Sequence, residues 1–251
     1  MTDDDRKRRL EKTIANLQAR LGPRAIGRSV DTSLPTVIPT GFPALDAALG
    51  VGGLVRGRIS EIVGVPTAGA ATLALKVVAQ AQQNNSTAIY IDVAQTFDPD
   101  YAHRCGVDLN HLMIIHPYTI QRAIAMLPDF AGGAADLLVF DMPLHPLEPE
   151  RQEQLSSALG RLLAPLNRSG SALLFVTSLP SDDAGYPRHL ALPHYAALRL
   201  LVRRARWLYR RQDVSGYEAD VLVLKNKLGK EGERTRITIS FDGRAARGDH
   251  A

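Results

Sequence analysis

Glu61-Ile62-Val63-Gly64-Val65-Pro66-Thr67-Ala68-Gly69-Ala70-Ala71-Thr72-Leu73 has the frame of a phosphate-binding loop without its chemistry. A working loop reads G-x-x-x-x-G-K-[ST] between a strand and a helix. Its backbone N–H groups curl around phosphates, its lysine reaches the outer phosphates, and its hydroxyl holds magnesium. Gly64 and Gly69 keep the spacing, but Ala70 stands at the lysine position and Ala71 at the hydroxyl position. Gly64, Gly69 and Thr72 are the candidate nucleotide-binding residues of the loop. The flanks support the frame: Ile59 to Val63 reads as a short apolar strand and Leu73 to Gln82 as an Ala-rich helix. Two readings stay open, a phosphate loop that has lost its charge and an ordinary strand-to-helix turn that never bound phosphate. Lys76 is no substitute, because six residues on it lies about 9 Å further along the helix and faces another way.

With 251 residues and 45% hydrophobic content, the chain can bury a full core as one large domain with a small appendage, which excludes disorder as its main state. Thirty basic against twenty-six acidic residues leave a net charge of +4, compatible with nucleic acid without implying it. The single cysteine, Cys105, permits no internal disulfide and no thiolate cluster for zinc. A reducing cytoplasm is the expected compartment, and an inert, half-buried thiol the expected state. No apolar run approaches the roughly 18 residues a membrane span needs, so no membrane partner is expected. The N-terminus lacks the apolar region of a secretory signal.

Along the chain, Asp5 to Leu21 predicts a helix with Leu10, Ile14, Leu17 and Leu21 on one face and basic residues on the other. That stripe needs a partner, either its own core or a neighbouring subunit. Gly22-Pro23 stops the helix, and Arg24 to Pro39 reads as a linker. The expected domains are therefore an N-terminal helix and linker over 1–39, a core over 40–242 and a flexible tail over 243–251. Within the core, Pro43 opens a short helix ending at Gly50. Strands are predicted at Thr87 to Asp92, Leu112 to His116, Asp136 to Asp141 and Ala172 to Thr177. Helices are predicted from Asp98-Pro99, over Ile120 to Phe130 and over Glu150 to Leu166. Strands apolar throughout and alternating with helices indicate a mainly parallel sheet covered on both faces. Ligands in such sheets bind beyond the strand C-termini, where Gly64, Asp92 and Asp141 fall. From Leu198 the period changes. Leu198 to Arg211, Ala219 to Lys227 and Arg234 to Phe241 read as an antiparallel meander punctuated by Gly216 and by Gly229 to Gly232.

The order of these pieces resembles the bacterial RecA recombinases, α/β proteins with a P-loop NTPase core. The phrases that carry the resemblance are Thr40-Gly41, Leu45-Asp46, Ala48-Leu49-Gly50, Gly52-Gly53-Leu54, Gly57-Arg58-Ile59 and Glu61-Ile62. Further on come Ile91-Asp92, Asp98-Pro99, Tyr101-Ala102, Gly106-Val107-Asp108, the strand ending at Asp141, Arg203-Arg204 and Lys225-Asn226-Lys227. It runs from about residue 5 to about residue 242 and spans that family's N-terminal assembly helix and ATPase core, not its separate C-terminal domain. By resemblance, Asp98 and Tyr101 match adenine-contacting positions, Asp141 a carboxylate assisting magnesium, and Lys225 and Lys227 lysines that reach a neighbouring subunit's ATP. Each also has a structural reading: Asp98 as a helix N-cap, Tyr101 as a packing residue, the lysines as a solvated strand end. The departures fall on the chemistry. Ala94 stands where the family carries its water-activating glutamate, and Ser178 where it carries its γ-phosphate-sensing glutamine. Phosphoryl transfer works by electrostatic positioning, so losses at four coupled sites imply a pseudo-ATPase. No cofactor is required on this reading, and adenine nucleotide binding, if any, is weak.

The DNA-binding parts also differ from the family's. Both loop segments, 142–149 and 179–193, are short, and the second offers Arg188, His189 and His194 as phosphate contacts. Arg199, Arg203, Arg204, Arg206, Arg210 and Arg211, interleaved with Trp207 and Tyr209, form the densest basic stretch. It suits a single-stranded backbone with stacked bases, or else two solvated faces of one strand. Three functions remain open. The first is a catalytically dead RecA-like protein acting in DNA repair or recombination through single-stranded DNA or a partner. It is similar in size and role to ImuA-type proteins, degenerate RecA relatives associated with translesion DNA polymerases. The second is an ATP-dependent recombinase with an unorthodox loop, weakened because no Lys or Arg is seen near Ala70. The third is an assembly factor whose N-terminal helix docks on another RecA-like subunit or a true recombinase and caps its filament.

Overall fold

The computed structural model describes residues 3–22, 35–142, 147–181 and 191–241. The chain divides into two compact units, 1–34 and 35–251. In the first, α1 (Asp3–Leu21) matches the expected amphipathic helix. Leu10 and Leu21 are exposed, and Ile14 and Leu17 are intermediate.

The second unit opens with a two-stranded ribbon, β1 (Val37–Ile38) paired to β2 (Leu54–Val55), with α2 (Pro43–Leu49) between them in sequence. The main sheet follows. Its strands are β3 (Ile59–Gly64), β4 (Ala88–Asp92), β5 (Leu112–Ile115), β6 (Leu137–Asp141), β7 (Ala172–Ser178), β8 (Leu198–Arg210), β9 (Asp213–Asn226) and β10 (Arg234–Ser240). Their order is β10-β9-β8-β3-β7-β6-β4-β5. From β8 to β5 every pairing is parallel, and β8-β9-β10 is antiparallel. The helices are α3 (Ala70–Gln83), α4 (Pro99–Arg104), α5 (Ile120–Ala131), α6 (Pro149–Ser169) and the single turn α7 (Leu192–Tyr195). Strands β3, β4 and β6 are buried along their whole length because both faces are covered. One apolar cluster joins α2 and α3 to one face and continues under the meander through Leu200, Val202, Ala219, Val221 and Ile237. The other joins α5 and α6 to the opposite face through Ile91, Phe140 and Phe175. Among the described residues no helix is long and apolar enough to cross a membrane.

Three element boundaries differ from the expected ones by three residues or more. Helix α3 starts at Ala70 rather than Leu73, since Gly69 at φ 110 sets the break and two alanines are good helix formers directly after it. Helix α6 continues through Pro165 to Ser169 and stops at Gly170, whose φ is 75. Strand β9 is longer than the segment from Ala219, because Gly216 lies inside it rather than between strands. A side-chain carbon there would overlap the carbonyl oxygen of Ile239, so glycine permits the close approach of β10. The hairpin turn is at Arg211 and Gln212, both at positive φ (49 and 76), which suits the right-handed twist of a two-residue connection. The tail over 243–251 lies outside the described residues.

Candidate nucleotide and nucleic-acid site

Parallel strands β3, β7, β6 and β4 all end at the same edge, and that edge gathers the candidate nucleotide residues. Gly64 closes β3 beside Ser178 of β7 and Val202 of β8. The chain then curls through Thr67 at φ 66 and Gly69 at φ 110 into the first turn of α3. That turn presents backbone N–H groups, as an anion site does, but its first two side chains are the methyl groups of Ala70 and Ala71. Lys76 lies elsewhere: its Cβ would be 3.3 Å from a side chain at Gly41, and it faces Cys105, whose thiol burial pushes up. The cation that does reach the loop is Arg204 of β8, donating from Nη1 to Thr67 Oγ1 at 3.2 Å. Arg204 meets the loop at Thr67 and not at Ala70, so it does not stand where the missing lysine would supply charge. Chain distance hid it, since the two residues are 137 apart in sequence.

Both motif glycines have a packing reason to be glycine. A side-chain carbon at Gly64 would lie 2.8 Å from the Val202 carbonyl oxygen, and one at Gly69 would lie 2.7 Å from Ile239 Cδ1 and 3.0 Å from Tyr217 Oη. Contacts that short force something to shift. Gly64 is thus required by the β8 backbone and Gly69 by its φ of 110, whether or not a phosphate ever enters.

Asp92 and Asp141 are register partners at the ends of β4 and β6. Asp141 is buried and accepts from Tyr90 Oη at 2.7 Å. Burial pushes its carboxyl up to about 6, Tyr90 opposes that, and the neighbouring Asp92 adds to it. Asp92 accepts from the backbone N–H groups of Thr96 and Phe97, each at 3.1 Å, with His116 Nδ1 3.3 Å away. Ala94 lies in the bend these bonds create, a methyl where a water-activating carboxylate would stand. Asp98 caps α4, accepting from Tyr101 N–H at 3.0 Å, as its structural reading expects. Tyr101 Oη lies 2.8 Å from Thr72 Oγ1, and burial pushes its hydroxyl up to about 12. A magnesium nucleotide does not fit this donor set. The loop lacks the lysine and the adjoining hydroxyl, and the outer side of Gly69 is filled by Ile239 and Tyr217.

The structure does not bring Lys225 and Lys227 to this edge within one chain. Lys225 pairs with Arg199, which pairs with Glu61, three residues and so about 10 Å before Gly64. Lys225 Nζ donates to the Pro193 carbonyl at 2.7 Å, and burial lowers its pKa. Lys227 is exposed just beyond the end of β9.

The arginine stretch is split by the pleat and by irregularities at Arg199/Leu200, Arg204/Arg206 and Leu208/Tyr209. Arg199 is withdrawn into an ion pair with Glu61, Nε to Oε2 at 2.6 Å. Arg206 binds Glu218 through two bonds of 2.8 Å, while Arg236 of β10 bonds to both Glu218 and Asp220. Arg203 stands opposite Asp220. Arg204 lies 4.3 Å over the Trp207 ring. Tyr217 and Phe241 approach that ring edge-on, at 5.7 Å and 6.3 Å. Arg210 pairs in register with Asp213, and Arg211 forms the turn. Arg203, Arg204, Arg210 and Arg211 are exposed and stand on the surface as candidates for phosphate. Arg188 and His189 lie outside the described residues.

Comparison with known proteins bears on the same residues. A family described as RecA N-terminal domain matches residues 8–244. Protein RecA of Aquifex aeolicus is 33% identical over 260 residues, covering 94% of this chain and 75% of its own. That of Chlorobaculum tepidum is 34% identical over 265 residues, with 96% and 77% covered, and that of Syntrophus aciditrophicus 33% over 273, with 99% and 80%.

Proposed function

The chain belongs to the RecA family of recombination and repair proteins, and on that footing we propose that it is an accessory member that does not hydrolyse ATP. The observation that carries this is the set of methyl groups at Ala70, Ala71 and Ala94, at the loop and beside Asp92, where phosphoryl transfer needs a cation, a magnesium ligand and a water-orienting group. Asp92 and Asp141 remain, but two carboxylates facing a methyl at Ala70 in place of a lysine repel a polyphosphate. Residual nucleotide binding is weak and indifferent to magnesium. Family membership carries the expectation of DNA contact and self-assembly, and here the contact is with single-stranded DNA through Arg203, Arg204, Arg210 and Arg211. A second reading, contact with a recombinase subunit or a translesion polymerase instead of DNA, is favoured by the internal pairing of Arg199 and Arg206 and by the exposed Leu10 and Leu21 of α1.

Calorimetric titration with ATP, with and without magnesium, tests the first part. Affinity in the micromolar range that depends on magnesium would overturn it. Titration with single-stranded DNA at low salt tests the second, and absence of binding by a folded sample would transfer the surface to a protein partner.

A further inference from the structure

All three strands of the meander touch the loop or the first turn of α3. From β8, Arg204 bonds to Thr67 and lies over Trp207. From β9, Tyr217 sets its hydroxyl beside Gly69, 3.0 Å from where a side-chain carbon there would stand. From β10, Ile239 packs on the same glycine, and Phe241 just beyond the strand joins the Trp207 and Tyr217 rings. On the other side Tyr101 of α4 shares a bond with Thr72. Thr72 is buried, so its hydroxyl has no solvent to exchange Tyr101 for. Thr67 is a β-branched residue at φ 66, a conformation that persists only when its surroundings over-determine it. Here Arg204 supplies part of that restraint.

We infer that these contacts form a built-in clasp: Tyr101, Thr72, Tyr217, Ile239 and Arg204 hold the loop in one conformation without a ligand and close the first turn of α3 against an entering base or phosphate. A glycine-bearing loop is ordinarily among the least stable parts of a fold, and an anion with its hydrogen bonds orders it. In this chain side chains from four elements take over that role. The clasp also accounts for glycine at positions 64 and 69 beside alanine at 70 and 71. The glycines admit the meander, while nothing in the clasp uses a lysine. Tyrosine hydroxyls are protonated through the neutral range and burial pushes these two further up, so the Tyr101–Thr72 bond does not open with pH. The inference rests on the proposed loss of hydrolysis, but the two fail separately.

The test is hydrogen–deuterium exchange of backbone amides 65–76 in the full chain, in the unaltered protein and in Tyr101→Phe, Tyr217→Phe and Arg204→Ala. The phenylalanine changes keep ring packing and remove one hydroxyl each. Protected amides that do not respond to magnesium and ATP, with exchange about fivefold faster per lost bond and unchanged in β4 and β6, are expected. Trp207, the single tryptophan, should shift its emission in Arg204→Ala as the cation leaves its ring. Exchange equally fast in all four proteins, or a loop that gains protection several-fold from nucleotide, would overturn the clasp. ATP turnover by the unaltered protein would remove the proposed function, whereas the clasp stands or falls on the exchange rates of the variants.

Discussion

Arg199 Nε donates to Glu61 Oε2 across 2.6 Å, and the carboxylate that accepts it is fully buried. Thr177 Oγ1 donates to the other carboxylate oxygen at 2.8 Å. Removing one member of a buried pair leaves the other charged and poorly solvated, which costs about 3–5 kcal/mol. Arg199→Ala should therefore lower the melting temperature by roughly 10 °C. The double change with Glu61→Gln should recover part of that loss. A melting temperature unchanged in Arg199→Ala would show that the pair does not hold β3 to β8.

Salt titration counts the arginines that reach DNA. Each single-strand phosphate contact contributes about −0.7 to the slope of log affinity against log salt. Four surface arginines predict a slope no steeper than about −3, against about −4 for all six. Arg210→Ala with Arg211→Ala should flatten it by about 1.4 and weaken every sequence alike, because phosphate contacts carry no base information. Base stacking on Trp207 requires Arg204 to leave its ring, so Arg204→Ala should weaken phosphate contact while raising the fluorescence response to DNA. A slope near zero would remove the DNA reading.

The sheet was legible because its strands are largely apolar: Ile89 to Ile91 and Leu137 to Phe140 throughout, and Ile59 to Val63 but for Ser60 and Glu61, admit few other readings. The loop was legible through Gly64, Gly69, Ala70 and Ala71. The surroundings of the loop were not. Arg204, Tyr217 and Ile239 come from strands far along the chain, and the irregularity at Arg204/Arg206 resets the alternation that would say which arginine faces α3. Gly216 resembles a boundary because glycine in a strand and glycine in a turn are the same letter, and the real turn, Arg211-Gln212, contains none.

Stability should fall as pH rises past Asp141. Its folded pKa, about 6, lies above the ordinary 3.8, so its favourable contribution is full below the unfolded value and is lost as pH rises through the folded one. Asp141→Asn keeps an acceptor for Tyr90 and removes the titration. The variant should exceed the unaltered protein at neutral pH by on the order of 2 kcal/mol, the difference vanishing below about pH 4. Equal stability across that window would show the carboxyl to be well solvated.

Leu10 and Ile14 test assembly. Leu10 is 60% exposed on a helix whose apolar stripe continues through Leu17 and Leu21. Changing both to Asp should abolish self-association in sedimentation while the core melts as before. A fall in core melting temperature would assign the stripe to the chain's own fold.

Magnesium-dependent phosphate release from ATP, measured with and without single-stranded DNA, tests the absence of hydrolysis most directly. With methyl groups at Ala70, Ala71 and Ala94, release should stay at background in both conditions and be unaltered in Asp141→Ala. Turnover that requires magnesium, rises with DNA and disappears in Asp141→Ala would contradict the account.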